Sequence, residues 1–232
     1  MVKPLTMSVA VSATLFLAHR CVHKFFKNME RSLKKELKID IYNINHLLTF
    51  GTGIVVCPGH KYKQFDCGNL SCNYGRLSFI LHFINNSKKY LDVCIYIITA
   101  EIFGEAIISA YRRGVRVRVI ADSDMSFSAQ SYVNNFRKEE LPTRQKMSPY
   151  IMHHKFIIVD NEIIINGSMN FTMTGVFCNW ENVMISSQPH IVSQFVDGFQ
   201  ALWDDFAPDL ERSPVDDPLL KKRMESLAIY NS

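Results

Sequence analysis

The sequence predicts an α/β sandwich, in which a mixed, mostly parallel β-sheet is flanked by helices. Apolar segments of strand length alternate with segments of helical periodicity along the middle of the 232-residue chain. Such an order usually joins parallel strands through crossover helices. Hydrophobic residues make up 47% of the chain, which is enough for one sizeable core. We interpret residues 40–207 as one domain, with appendages at 1–39 and 208–232.

The individual elements follow from periodicity and from helix-ending residues. Leu77, Ile80, Leu81 and Ile84 recur at helical spacing, and Gly114 closes the next helix. Segments rich in Val and Ile, such as VRVRVIAD, indicate buried strands. Strands are predicted at 53–57, 90–99, 115–122, 154–159, 162–166 and 181–187, helices at 76–86, 100–114 and 190–206, and a less regular polar stretch at 122–150.

The N-terminal segment is an uncharged run at 4–18, followed by basic residues between Arg20 and Lys38. The run is shorter than the ~20 residues that span a bilayer comfortably. A secretory signal would carry its charge before the run, and a plain buried helix is the other alternative. We predict that 1–39 is an anchor whose basic flank keeps the rest of the chain in the cytosol. Short anchors of this composition are typical of the mitochondrial outer membrane.

A cluster of Cys and His residues lies in a turn-rich segment of the sequence. Cys57, His60, Cys67 and Cys72 could supply the four ligands of a tetrahedral zinc site, forming a finger-like insertion at 57–72. The alternatives are a disulfide pair or an ordinary loop. We predict a structural zinc ion here, and we assign Cys94, in an apolar strand, to the core.

The stretch HHKFIIVD combines a strand pattern with residues suited to phosphate chemistry. Residues two apart on a strand share a face, so His153 and Lys155 point together while His154 points the other way. Asp160 ends the strand, where a carboxylate more plausibly binds backbone N–H groups than substrate. The alternation therefore selects His153 as the working histidine.

A second group of polar residues follows the next predicted strand. Gly167 allows a tight bend, and Ser168 and Asn170 carry short side chains that could reach phosphate oxygens. Glu181, at the start of the following strand, could accept the other ring N–H of His153 and fix its tautomer. These residues complete a candidate catalytic group.

Together these residues form H-x-K-x4-D followed by G-S-x-N, which resembles the motif of the phospholipase D superfamily. The anchor, the Cys/His cluster and the segments RRGVRVRVIAD, MHHKFIIVD, NGSMNFT and NWENVMI resemble the Zucchini endonuclease family, also called mitochondrial cardiolipin hydrolases, over residues 1–206. Phe171 departs from the expected Trp. The resemblance implies a phospholipase D-like sandwich with one catalytic motif per chain, no catalytic metal, and a link to piRNA maturation and its protein partners.

Phosphodiester cleavage without a metal needs a nucleophile, a cation for the phosphoryl oxygens and an acid for the leaving oxygen. His153 can attack and form a phosphohistidine, but it cannot also protonate the opposite side. The chain holds no second His-x-Lys followed by an aspartate. We therefore predict a two-fold homodimer with a shared site, in which Lys155 and Asn170 of both chains hold one phosphate.

The substrate is less well defined by the sequence. A formal net charge of +4 excludes a general polycation, so contacts with a nucleic acid would be local. Arg116 and Arg118 are the leading candidates for a substrate groove, and a solvated edge is their alternative role. The basic residues considered with them are Arg112, Arg113, Lys138, Arg144 and Lys146. We predict single-stranded RNA as the substrate, with cardiolipin hydrolysis to phosphatidic acid as the alternative and a non-catalytic, zinc-bearing scaffold as the third possibility.

Overall fold

The computed structural model describes residues 44–51, 69–127 and 130–207. The predicted anchor at 1–39, the predicted strand at 53–57 and the tail at 208–232 lie outside these ranges. In the part of the chain that is described, no helix is both long enough and apolar enough to cross a membrane.

Within the described residues, seven strands form one sheet in the order β1-β7-β6-β5-β2-β3-β4. Runs of Val and Ile account for the central strands, because β-branched side chains pack well on a pleated surface. The strands are β1 (Asn45–Phe50), β2 (Tyr90–Ile95), β3 (Arg116–Ala121), β4 (Thr143–Arg144), β5 (Lys155–Val159), β6 (Ile163–Gly167) and β7 (Glu181–Ser186).

Helices account for most of the remaining described chain. Two of them, α1 and α2, match the predicted helices before and after β2, and the last one matches the predicted closing helix. The helices are α1 (Asn73–Asn85), α2 (Glu101–Arg112), α3 (Ser123–Ser126), α4 (Val133–Lys138), α5 (Met173–Phe177) and α6 (Pro189–Asp205).

The predicted α/β class is confirmed, but the sheet is mostly antiparallel rather than mostly parallel. Only β2 with β3 and β3 with β4 pair in parallel, whereas the other four pairings are antiparallel. A parallel pair needs a crossover of a dozen or more residues. The turn at 160–162 between β5 and β6 is too short for one. The predicted helical crossover is found in the β2-α2-β3 unit, and the parallel β3-β4 pair is joined through α3 and α4.

The core lies on both faces of the sheet. Helix α6 covers one face, where its Val192 and Phe199 pack with Phe156, Ile158 and Ile164 of the strands. Strand residues of the opposite parity are equally buried: Val93, Val119, Ile157 and Ile165. Because both faces of the sheet are covered, polar side chains can gather at the exposed ends of the strands.

Candidate active site

One edge of the sheet collects the ends of five strands, and we call it the catalytic edge. Strand β5 begins there with Lys155, which pairs with Ile95 at the end of β2, and β3 ends beside it with Ala121. Strand β6 ends there with Gly167, and β7 begins there with Glu181. Antiparallel pairing therefore brings together residues that lie far apart in the sequence.

His153 and Lys155 lie side by side at the catalytic edge. The Lys155 Nζ atom is 2.9 Å from both ring nitrogens of His153, and it also donates to the His153 carbonyl at 2.8 Å. His153 is exposed, whereas Lys155 is 7% exposed. The two side chains share a face, as strand alternation predicts, so an accessible imidazole stands next to a buried ammonium.

The environment of Lys155 tunes its charge in two opposite ways. Burial lowers the pKa of Lys155, and the carboxylate of Glu181 opposes this change because it favours the charged ammonium. The Tyr96 ring lies 5.1 Å from the ammonium and 4.5 Å from the His153 ring, measured to ring centroids. A buried cation beside an aromatic ring, with a negative charge nearby to favour its ammonium form, is well placed to contact a phosphoryl oxygen.

Glu181 is held from both of its oxygens. The Ser168 hydroxyl donates to Oε2, and the Asn179 side-chain amide donates to Oε1 at 3.0 Å. The Ser168 hydroxyl oxygen in turn accepts the backbone N–H of Asn182 at 3.1 Å. Asn179 was not singled out from the sequence. It lies two residues before Glu181, ahead of the start of β7, where no local sequence pattern marks it.

Asn170 and Phe171 lie in the loop after β6. The Asn170 side-chain Oδ1 is buried and has no hydrogen-bond partner among the described residues. Phe171, which stands where Trp was expected, is 3% exposed and stacks on Phe103 with ring centroids 4.6 Å apart. The residue that differs from the expected Trp, Phe171, therefore lies in the core. The Asn170 side chain keeps a buried oxygen with no hydrogen-bond partner among the described residues.

Asp160 lies at the opposite edge of the sheet from His153. Its carboxylate accepts the backbone N–H groups of Lys88, Lys89 and Tyr90 at 2.6–3.1 Å. Asp160 has a positive φ of 54°, a conformation that Asp tolerates better than most residues. It therefore ties the β5-β6 turn to the start of β2, the role that its position at the strand end indicates, and it is not in contact with His153.

The predicted groove arginines also lie away from the histidine. Arg116 pairs in register with Tyr90, at the start of β2, and its guanidinium lies over the Tyr90 ring. Arg118 donates to both oxygens of Asp92 at 2.7 and 2.8 Å and to Gln200 at 2.9 Å. The structure does not bring either arginine to the catalytic edge, because both lie nearer the other end of β3.

A cavity of about 260 Å³ opens beside the histidine. Its walls include His153, His154, Tyr150 and Ile151. Tyr150 is 84% exposed and Ile151 is 53% exposed, so these two side chains add exposed apolar surface to a cavity that Lys146 and Asp205 also line. Burial lowers the pKa of His154, and the nearby charges of Lys155 and His153 lower it further. Both effects favour the neutral form of the His154 imidazole.

The predicted zinc ligands Cys57, His60 and Cys67 lie outside the described residues. Cys72 is fully buried immediately before α1. Among the described residues, no group of three or more potential ligands could hold a metal ion. The zinc site stays a prediction. Cys94 is fully buried in β2, as predicted, and burial raises the pKa of its thiol.

The geometry of the site and the sheet are those of a phospholipase D-type protein, and comparison with known families agrees. The family described as "Cardiolipin synthase, PLD-like domain" matches residues 80–203, more than half of the chain. The match includes the strands β2, β3 and β5 to β7 that build the catalytic edge. The chain belongs to this phospholipase D-like family.

Several curated relatives carry the name "Mitochondrial cardiolipin hydrolase". The chain is 34% identical to the Chlamydomonas reinhardtii protein over 144 residues, which cover 60% of this chain and 65% of that protein. It is 35% identical to the human protein over 165 residues, covering 69% and 65%, respectively. For the Danio rerio protein the identity is 33% over 158 residues, covering 64% and 68%. The chain thus spans slightly less than two thirds of the first two relatives.

Two solved structures share the fold. NucT from Helicobacter pylori has a TM-score of 0.55 and 19% sequence identity, covering 69% of this chain and 96% of that chain. The phospholipase D family member Nuc from Salmonella typhimurium has a TM-score of 0.53 and 24% identity, covering 69% and 95%. These two likenesses concern the fold alone.

Proposed function

We propose that the protein is a phosphodiester hydrolase of the phospholipase D type that uses His153 as its nucleophile and no catalytic metal. The observation that carries the proposal is the 2.9 Å contact between the Lys155 ammonium and the ring of an exposed histidine. A phosphodiester that approaches His153 meets this cation at once. Attack and charge neutralisation therefore occur at one place.

The reaction has two steps. In the first, a ring nitrogen of His153 bonds to phosphorus while the bond from phosphorus to the leaving oxygen breaks, and that oxygen takes a proton from an acid. In the second, water attacks phosphorus and gives a proton to the group that acted as the acid, the N–P bond breaks, and His153 is restored. Lys155 neutralises charge on the phosphoryl oxygens in both steps, while Asn170 supplies its amide to them.

The acid of the first step is the His153 of a second copy of the chain. The adjacent His154 follows one residue later on the strand, and its ring meets Phe156, a core residue, so it is directed away from the leaving oxygen. A two-fold dimer would place two catalytic edges face to face with both His153 side chains at the axis. The exposed Tyr150 and Ile151 beside His153 offer apolar surface for such a contact.

Cardiolipin is the substrate that the described residues favour. The relatives are named for cardiolipin hydrolysis, and the product would be phosphatidic acid. The exposed Tyr150 and Ile151 in the cavity wall offer apolar surface to a substrate embedded in a lipid surface. Several of the cations proposed for an RNA groove already form ion pairs. Arg118 pairs with the buried Asp92, while Arg112 with Glu139 and Lys146 with Asp205 form exposed pairs.

Single-stranded RNA is the second candidate substrate, and one observation favours it. Trp180 is 77% exposed directly before Glu181, and exposed aromatic rings beside a phosphate site are the platforms on which single-stranded bases stack. In this case the protein would be an endoribonuclease of the piRNA pathway with partners from that pathway. The two substrates share the His153 chemistry and differ in what surrounds the phosphate.

We place the protein in mitochondria, as the relatives' names indicate for those proteins. Residues 1–39 would anchor it in the outer membrane with the catalytic domain in the cytosol, and Cys57, His60, Cys67 and Cys72 would hold a structural zinc ion. The zinc would stabilise its segment by cross-linking it. It would take no part in phosphodiester cleavage.

The substrates are separated by one assay with three reactions. The full-length protein, in excess chelator, receives cardiolipin vesicles, end-labelled single-stranded RNA, or bis(p-nitrophenyl) phosphate. We expect hydrolysis of the soluble diester and of cardiolipin, both lost in His153→Ala and kept in His190→Ala, which changes an exposed histidine of α6. RNA cleavage without lipid hydrolysis would select the second candidate. A dimeric, folded preparation inactive on all three would favour the scaffold.

A further inference from the structure

We propose that Asn179 is a positioning residue of the catalytic site, which holds the Glu181 carboxylate in the orientation that faces Lys155. This inference rests on the proposed phosphodiesterase function. It adds a residue that lies outside the H-x-K-x4-D and G-S-x-N motifs. The role of Asn179 is indirect. It acts through Glu181, because Asn179 does not itself lie against His153.

The Glu181 carboxylate is held by hydrogen bonds to both of its oxygens. A carboxylate with one hydrogen-bonded oxygen can still rotate about its terminal bond, since that torsion is broad. Here the Asn179 amide donates to Oε1 at 3.0 Å and the Ser168 hydroxyl donates to Oε2. With both oxygens engaged, the plane of the carboxylate is fixed. Hydrogen bonds to a charged acceptor are also the stronger kind.

Asn179 is itself held in place. Its backbone N–H donates to the Thr174 carbonyl at 3.0 Å, which ties it to the short helix α5. The side chain of Thr172 caps that helix by accepting the Gly175 N–H at 2.9 Å. Thr172 follows the Asn170 loop by two residues, so one capped turn connects the Asn170 loop to Asn179 and Glu181.

Glu181 favours the charged form of Lys155. The buried Lys155 ammonium is faced by the rings of His153 and Tyr96 and by the negative charge of Glu181. His154 is the residue directly before Lys155, ahead of the start of β5. Burial lowers the pKa of Lys155, and Glu181 is the group that raises it. Loss of the Asn179 amide frees the carboxylate to turn toward solvent, which weakens this support for the charged lysine.

The test compares Asn179→Ala with Asn182→Ala in the full-length protein. Asn182 is an exposed neighbour whose backbone N–H and carbonyl, rather than its side chain, contact Ser168. The substrate is bis(p-nitrophenyl) phosphate, with kcat and KM measured across pH. We expect Asn179→Ala to lower kcat ~10-fold, as loss of a charged hydrogen bond indicates, with little change in KM. Its basic limb should also shift to lower pH, and Asn182→Ala should behave as wild type.

Two further variants keep the inference testable if the alanine variant unfolds. Asn179→Asp preserves the size but sets a like charge against Glu181, so kcat should fall at neutral pH, whereas Asn179→Gln keeps the amide and should recover part of the activity. Folded Ala and Asp variants with wild-type kcat and an unmoved basic limb would overturn the role of Asn179. A folded wild-type protein without diesterase activity would overturn the proposed function itself.

Discussion

The Lys155 ammonium contacts both ring nitrogens of His153 at 2.9 Å, and it is 7% exposed while the histidine is open to solvent. The arrangement joins the proposed nucleophile with a cation that could neutralise a phosphoryl oxygen. It depends on β5 alternation for the shared face and on the antiparallel β2-β5 pairing for the Tyr96 ring beside them. The same pairing sets the burial that lowers the pKa of Lys155.

The activity should depend on the charge of Lys155, and its pH profile should report that charge. Because burial lowers the pKa of Lys155 below the ordinary 10.5, the basic limb of kcat/KM should lie below that pH. Glu181→Gln removes the negative charge that raises this pKa, so its basic limb should move lower still. Measuring kcat/KM for bis(p-nitrophenyl) phosphate across pH gives the basic limb of the unmodified protein and that of Glu181→Gln. An unmoved limb in Glu181→Gln would contradict the coupling of these two residues.

Asp160 should matter for stability through its backbone contacts. Asp160→Ala removes the acceptor of the Lys88, Lys89 and Tyr90 N–H groups, and we expect the free energy of unfolding to fall by about 2–3 kcal/mol. The alanine also has to adopt a positive φ. Urea unfolding measures the change.

Asp160→Asn tolerates the positive φ and keeps one acceptor, so it should lose less stability than Asp160→Ala. Glu162→Ala, a change at the same turn, should have little effect. Equal unfolding free energies for Asp160→Ala and Glu162→Ala would contradict the role given to Asp160.

Arg118 should stabilise the fold and leave substrate affinity unchanged. Its partner Asp92 is 2% exposed, and Arg118 also lies 4.8 Å from the Phe199 ring centroid and 5.2 Å from that of Trp203. Arg118→Ala leaves a buried carboxylate unpaired, which typically costs about 3–5 kcal/mol. Thermal and urea unfolding, together with KM, check this prediction.

The matched variant for Arg118 is the double change Asp92→Asn with Arg118→Met, which removes both charges. It should be more stable than Arg118→Ala alone, because no buried charge is left over. A rise in KM for RNA in a stably folded Arg118→Ala protein would contradict this prediction and indicate that Arg118 contacts the substrate.

Substitution by alanine should have opposite effects on the free energy of unfolding at Gly167 and at Gly198. A Cβ atom at Gly167 would lie 2.0 Å from the Asn182 carbonyl oxygen, so Gly167→Ala must push β6 from β7 and should cost about 1–3 kcal/mol. Gly198 lies in α6 with nothing within 4 Å of the added atom. Gly198→Ala should therefore stabilise the protein by about 0.5–1 kcal/mol. Equal effects in urea unfolding would contradict this difference.

Local sequence patterns predicted the central elements well. Alternation placed His153 and Lys155 on one face, and helical spacing from Leu77 to Ile84 matches α1. These predictions depend on chemistry within a few residues, where backbone geometry is decisive. The closing helix α6 was predicted by the same reasoning, from an apolar stripe at helical spacing.

Long-range pairing was not readable in the same way. Strand β1 was missed because NHLLTF carries only a short apolar pattern, and its pairing with β7 joins residues far apart in the chain. The sequence offered a substrate groove or a solvated edge as roles for Arg118, but it could not show that Asp92 on the neighbouring strand pairs with it. Asn179 was missed because a polar residue before a strand has no distinctive pattern of its own.

The covalent intermediate on His153 is the most direct test of the proposed chemistry. The full-length protein in excess chelator is mixed with bis(p-nitrophenyl) phosphate, quenched within the first turnover, digested and analysed by peptide mass spectrometry. The account predicts a burst of p-nitrophenolate and an acid-labile p-nitrophenyl phosphate adduct on His153, absent in His153→Ala and present in His190→Ala. Turnover that chelator abolishes, or an adduct on another residue, would contradict it.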